Sequence, residues 1–373
     1  MRLNECDNDA VRGLIRDTSA GLLVVLVAPN FELRSLRLCE LILEEIAVAR
    51  KDGVPVREIR WLIVTLQGRH AHNSLDSVKA SYAYRCLDWL SVLARQDVRH
   101  EVWEYPVTSA RLETLFLSLL GDWRPVTLLA DFSALPRNVL FKLLQTLDRH
   151  GSRTAGLAAV QQVFLAYSWA RSYPDSGSLE AVGNVTGHFS EVSLSDFLRN
   201  CEYANIVLVT SGSVHDSFSV INSVAEVRNG RDLTRQVVTF MNSRNFSESW
   251  KQLRNHYTIL DRSAAEGWIQ SYAFSIRQAL ALFERAANAA IKRGVGMDSR
   301  LALCTFGPKP LAVGAQLIVE DVRRQALIGR RVSADLFNSH GSQYLSTYSI
   351  GAGAVSVFEY SGNDGLDRGR EQG

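Results

Sequence analysis

Residues 125–147 read PVTLLADFSALPRNVLFKLLQTL, and how this stretch divides decides the fold. Val126, Leu128 and Leu129 make the apolar core of a short strand running to Ala130, and Asp131 arrives where that strand would leave a sheet. A turn follows from Asp131 to Pro136. Pro136 has no amide proton and a fixed φ, which the first turn of a helix tolerates and the centre of a strand does not. Ser133 is placed to cap that helix, although no Glu or Gln stands three residues later to complete a capping box. From Arg137 onward, Val139, Leu140, Leu143, Leu144 and Leu147 recur at intervals of three and four, which is one buried helical face.

The same order of strand, polar turn and helix recurs near residues 22–50, 205–227 and 301–327. Leu22 to Ala28 is a near-continuous apolar strand followed by a helix from Ser35 to Arg50, which Gly53 and Pro55 end. Ile59 to Leu66 is a second strand, a helix is expected over 75–93, and Val98 to Tyr105 alternates as a more exposed, edge-like strand. A helix over 111–120 precedes the opening stretch, and a strand from Val160 to Tyr167 follows it. Asn205 to Thr210 leads to a helix from Phe218 to Val227, then a strand Val237 to Phe240 and a helix Ser247 to Arg254. From Trp268 through Ala290 the apolar period is helical, Leu301 to Phe306 is a strand, Leu311 to Leu327 a helix and Val355 to Tyr360 a last strand.

Alternation of this kind predicts an α/β fold with mainly parallel sheets flanked by helices. At 373 residues the chain exceeds the size at which one core keeps growing, so two Rossmann-like lobes are expected: 1–180 as an N-terminal α/β domain and 200–361 as a C-terminal one. One large sheet is the alternative. Residues 362–373 read as a polar, glycine-rich flexible tail.

A net charge of +2 is too near balance to predict a nucleic-acid footprint on its own. Arg outnumbers Lys, which suits planar carboxylate and phosphate recognition and equally suits a genomic composition bias. The cysteines at 6, 39, 86, 201 and 304 are odd in number and scattered, so they form neither a disulfide framework nor a zinc knuckle and fit a reducing compartment. Acidic residues early in the chain are unlike a secretory leader, and no apolar run reaches membrane-spanning length. Cytoplasmic residence without a membrane partner is the expectation.

Candidate site residues cluster where strands hand over to helices. Asp131 with Ser133, Arg137 and Asn138 can hold a ribose, a metal or an anion, or can simply satisfy local backbone donors. Glu32, Arg34 and Ser35 form a second helix entry; Glu32 facing Asp131 would make a magnesium site with Arg34 on phosphate oxygens, whereas an internal Glu/Arg network is the plainer reading. Thr210 to Ser217 supplies hydroxyls, including Ser213, and the His215/Asp216 pair, where His215 could move a proton. Gly307, Pro308, Lys309 and Pro310 make a rigid turn with a cation at the start of a helix, an anion-facing arrangement or a stiff connection.

Several signatures are missing. The Ser211 to Ser213 spacing is not GxSxG, no HExxH occurs, the first strand is not followed by GxGxxG, and the Gly307 turn is not a full P-loop. His70 and His72 with Asp76 lack the spacing of a metal-dependent hydrolase loop. Tyr344, Tyr348, Gly351 and Gly353 suit either base stacking or the filling of a seam beside the last strand.

Polar helix entries that recur without a catalytic signature predict a recognition or regulatory protein binding a phosphate-containing small molecule, a nucleotide or a nucleic-acid end. Arg34, Ser35, Ser133, Arg137, Ser213, Gly307 and Lys309 would make its contacts. The alternative is a metal-assisted nucleotide or phosphate hydrolase or transferase. In it Glu32 and Asp131 hold magnesium, and Asp131, His215 and Asp216 supply the chemistry. A noncatalytic subunit of a multiprotein assembly is the third reading; no cofactor is assured, magnesium entering only with the enzymatic one.

Overall fold

The computed structural model describes residues 2–7, 9–29, 33–67, 88, 97–104, 110–111, 114, 125–135, 137–151, 160–172, 185–210, 214–227, 232–242, 246–339 and 350–361. In chain order the elements are β1 (Arg2–Glu5), α1 (Ala10–Arg16), β2 (Leu22–Val27), α2 (Arg37–Lys51), β3 (Ile59–Gln67), β4 (Asp97–Glu104), β5 (Val126–Asp131), α3 (Arg137–Gly151) and β6 (Val160–Ser172). They continue with β7 (Val185–Gly187), α4 (Leu194–Leu198), β8 (Tyr203–Thr210), α5 (Val214–Ala225), β9 (Asp232–Phe240), α6 (Phe246–Asn255), α7 (Tyr257–Ala265) and β10 (Ile269–Ala273). The remainder are α8 (Ile276–Arg293), β11 (Ser299–Phe306), α9 (Lys309–Leu327), β12 (Val332–Ser339) and β13 (Ile350–Ser361). Two compact units result, one of residues 1–172 with 346–373 and one of residues 173–345.

Unit 1 is built on a seven-stranded sheet in the order β1-β13-β6-β5-β2-β3-β4. Strands β2 to β6 are parallel; β13 runs antiparallel to β6, and β1 antiparallel to β13. Every residue of β2 and of β5 is buried, as the unbroken apolar runs demand of strands covered on both faces. One face packs Leu23, Val25, Val27, Trp61 and Ile63 against Leu38, Ile42 and Ile46 of α2. Gly21, with φ of 76°, lets the chain pass Pro125, whose carbonyl oxygen a Cβ there would strike. At that end of the sheet Arg57 is buried, donating to the Gly21 carbonyl at 2.7 Å and to Thr127 Oγ1 at 2.8 Å and tying β2 to β5.

Unit 2 repeats the scheme with a six-stranded sheet, β10-β9-β8-β11-β12-β7. Strands β8 to β12 are parallel and β7 is antiparallel to β12. Numbered by appearance, the five parallel strands lie 3-2-1-4-5 in both units, the doubly wound order. In each, a buried polar side chain anchors the antiparallel addition. Trp169 Nε1 of β6 donates to Ser356 Oγ of β13 at 2.9 Å. Asp335 of β12 accepts from the Phe189 and Ser190 amides, at 2.9 and 2.8 Å, just beyond β7.

The two largely parallel sheets flanked by helices agree with the expected fold class, while four local expectations need correction. The last strand, assigned to the 200–361 domain, hydrogen-bonds to β6 and β1 and so belongs to unit 1. Its alternating pattern specifies a strand but carries no address for its partner. Residues 269–273, expected inside one long helix from Trp268, are strand β10, and the helix begins only at Ile276, capped by Ser275 Oγ accepting from the Gln278 amide. The helix after β8 starts at Val214, placing His215 and Asp216 in its first turn. Strands β1, β7 and β12 were not anticipated, being short or polar in sequence. The helices expected over 75–93 and 111–120 and the tail at 362–373 lie largely or wholly outside the described residues.

Candidate functional site

In a doubly wound sheet the strands on either side of the order reversal send right-handed crossovers to opposite faces, leaving a crevice at their carboxyl ends. Unit 1 has this crevice between β2 and β5, where Leu26 is the partner of Ala130. Unit 2 has it between β8 and β11, where Thr210 is the partner of Phe306. The sequence-derived candidates fall into two groups, one at each crevice. Arg34, Ser35, Asp131, Ser133 and Arg137 belong to unit 1, and His215, Asp216, Gly307 and Lys309 to unit 2. Glu32 and Ser213 lie outside the described residues, as do His70, His72, Asp76, Tyr344 and Tyr348, and the His215 side chain is likewise undescribed.

At the unit 1 crevice several polar side chains bond within the unit. Asp131 Oδ1 accepts from the Ser133 amide at 2.8 Å, which folds the chain out of β5 as an Asx turn. Ser133 Oγ in turn accepts from the Ser168 amide at 2.7 Å, linking that turn to β6. Arg34 is 1% exposed; its Nη1 donates to the Tyr167 hydroxyl at 2.9 Å, and its guanidinium lies over the same ring, 5.6 Å from the centroid. Phe132 packs tilted against Tyr167, with ring centroids 5.3 Å apart. Burial and the neighbouring Asp131 charge push the Cys39 thiol well up from its usual range, so it stays protonated and unreactive. Arg137 is half-buried in the first turn of α3.

At the unit 2 crevice, two helices of twelve and nineteen residues, α5 and α9, begin just past neighbouring strand ends. Both direct N-terminal amides and the positive end of the helix dipole outward. Lys309 is the first residue of α9 and is 8% exposed, while Gly307 and Pro308 before it are half-buried. Asp216 and Ser217 are buried in the first turn of α5. Across the end of β8, Thr210 Oγ1 and His256 Nδ1 are 2.9 Å apart, both buried. Burial lowers the His256 pKa to about 4, so the ring is neutral at pH 7. Thr239, the register partner of Thr210 on β9, is buried with its Oγ1 lacking a hydrogen bond.

Sequence reasoning picked out the strand-end residues but missed Tyr167, Ser168 and His256. Tyr167 and Ser168 stand where an apolar strand turns polar, a signal of the kind that flagged Asp131. His256, between two helical periods in sequence, gave no sign of its contact with a residue 46 positions earlier. Among the described residues no group of three or more His, Cys, Asp and Glu side chains is arranged to hold a metal ion, and no helix is long and apolar enough to cross a membrane. Described cysteines 6, 39, 201 and 304 are free thiols, and Cys86 lies outside the described residues.

By strand order the chain is an α/β protein carrying two doubly wound sheets. No family model matches it, and no curated protein does. Among solved structures it is similar to a protein of unknown function from Pseudomonas aeruginosa PAO1, with 11% identity, 90% of this chain and 95% of that chain covered and a TM-score of 0.23. It is similar also to a candidate universal stress protein from Pseudomonas aeruginosa UCBPP-PA14, with 12% identity, coverage of 88% and 94% and a TM-score of 0.23. A third is the Mycobacterium smegmatis helicase Lhr bound to single-stranded DNA and AMP-PNP, with 13% identity, coverage of 89% and 41% and a TM-score of 0.20.

Proposed function

We propose that this chain is a cytoplasmic recognition or regulatory protein that binds a phosphate-containing small molecule, in the first instance a nucleotide, at the β8/β11 crevice of unit 2. The observation that carries this reading is the placement of Lys309, a buried lysine in the first turn of α9, which begins at the strand end next to the one from which α5 starts. A cation and two converging helix N-termini favour an anion there, and Gly307 leaves room for backbone approach. The unit 1 residues named for the same role, Asp131, Ser133 and Arg34, brace the turn after β5 and the neighbouring strand β6.

The test is calorimetric titration of the full chain with ATP, ADP, AMP, GTP and a short single-stranded oligonucleotide, repeated with Lys309→Met. Saturable binding of one phosphorylated ligand, weakened about tenfold in the variant, is the expected result. Binding unchanged by Lys309→Met, or none to any member of the panel, removes the proposal. Hydrolysis or transfer at the same crevice has one observation in its favour, the Thr210 hydroxyl held by a neutral imidazole that can accept its proton. Incubating each ligand with and without magnesium, and looking for product by chromatography, separates turnover from binding.

A further inference from the structure

We infer that the end of unit 2 where α8 and α9 finish docks on a membrane surface rich in anionic lipid headgroups. The inference does not use the nucleotide reading, because these helices finish at the amino ends of β11 and β12, whereas the β8/β11 crevice lies at the carboxyl ends. The three most exposed large hydrophobic residues of the described chain all lie here: Leu327 at 85%, Ile328 at 72% and Val295 at 69%. Leu327 and Ile328 close α9, and Val295 stands one residue beyond Gly294, which caps α8. The two turns are joined by the Arg331 amide, which donates to the Gly294 carbonyl at 2.8 Å. Scattered exposure needs no explanation, whereas the three extremes at one end of one unit do.

The occupant follows from charge and shape. No Asp or Glu occurs at 285–297 or 322–334, yet the first stretch carries three basic residues and the second four, in a chain whose basic and acidic totals are 41 and 39. Lys292, Arg293, Arg330 and Arg331, which flank the apolar side chains, are in no ion pair among the described residues. The carboxylates nearest in sequence are engaged, Asp298 by Arg300 at 3.4 Å and Asp321 by Arg324 at 2.8 Å. Cations in the last turn of a helix complement its dipole, which accounts for Lys292 and Arg293. It does not account for Arg330 and Arg331, past the end of α9, or for the exposed aliphatic side chains. The charge selects a negative partner and opposes a second copy of the same end. A nucleic acid would engage the cations and leave Leu327, Ile328 and Val295 in water, with no aromatic ring among them to stack a base. Aliphatic side chains standing so far out of the surface enter the acyl boundary of a bilayer without a shaped pocket to receive them, and the cations then lie among the headgroups. Such a contact needs no spanning segment, so the expectation of no membrane partner, drawn from the lack of one, does not bear on it.

Co-sedimentation of the full chain with lipid vesicles tests the inference. Vesicles of phosphatidylcholine with about a third phosphatidylserine should carry the protein down at about 0.1 M salt, less so at about 0.5 M, and vesicles of phosphatidylcholine alone should leave it in solution. Leu327→Ser combined with Ile328→Ser should weaken the partition at least about tenfold, with an unchanged thermal midpoint because both side chains are exposed. Arg330→Gln combined with Arg331→Gln should weaken it by about as much. A chain that ignores the anionic vesicles, or that binds both kinds alike, overturns the proposal. Binding that falls with the arginine pair but survives loss of the two aliphatic side chains marks a phosphate-backbone surface, and binding that survives both marks a different face; either result also overturns it.

Discussion

The two units share a strand order and differ in what fills the crevice that this order creates. In unit 1 an aspartate, a serine and an arginine at the strand ends are held inside, bonded to the turn itself and to Tyr167 and Ser168 of β6. In unit 2 the strand ends carry a lysine at a helix start, a glycine turn and a hydroxyl bonded to a buried histidine. The same topology therefore serves once as a cross-braced wall and once, on the reading proposed here, as a binding site. A switch point says where a ligand can sit; it does not say what the ligand is.

The comparison is broken most directly through Arg34. Replacing it by Leu leaves the Tyr167 hydroxyl buried without its donor and removes a charge packed on an aromatic face, so a loss of about 3 kcal/mol is expected in urea unfolding, with nucleotide affinity unaltered. An equal loss of affinity and stability would mean that unit 1 also binds. The second effect concerns His256, whose pKa falls from 6.5 free to about 4 in the fold. Between those values the unfolded chain binds more protons, so stability rises with pH through this window and is lost as pH falls from about 6.5 towards 4. Roughly 3 kcal/mol is at stake, from about 1.4 per pH unit, and His256→Gln should flatten the curve of stability against pH over that interval.

Ser133→Ala sharpens the contrast with a smaller change. It deprives the Ser168 amide of its acceptor in a buried place, and a loss of about 1 to 2 kcal/mol should appear in denaturant unfolding without any change in ligand binding. The smallest effect belongs to Lys309→Met, about 1.4 kcal/mol in binding free energy if affinity drops tenfold, with the unfolding midpoint nearly unmoved. If Lys309→Met instead behaves like Arg34→Leu, destabilising without touching affinity, unit 2 is a second braced wall and the contrast disappears.

Much of the fold was legible because it is written locally. The mainly apolar stretches read as strands at 22–28, 126–130, 205–210 and 301–306 fall in strands that are buried almost throughout. Helices such as α3 and α9 show their periodicity without help from neighbours. Segment 268–274 misled because Trp268, Tyr272 and Phe274 satisfy a helical and an extended pattern almost equally over so few residues, and only pairing with β9 selects the strand. Strand-end residues were found by type, since Asp, Ser and Lys stand out after apolar runs. Their roles were not, because Tyr167 lies 133 positions from Arg34 and His256 lies 46 from Thr210.

By itself, the sequence determined that this chain alternates strands and helices, buries its central strands on both faces and places polar residues where strands end. The tertiary structure alone decided that β13 returns across the chain to close the first sheet, that both sheets adopt one strand order, and that Arg34 is braced inside. The reason is physical: helical period and strand burial depend on residues a few positions apart. Every strand edge offers the same amides and carbonyls, so the choice among edges is made only when the whole chain packs.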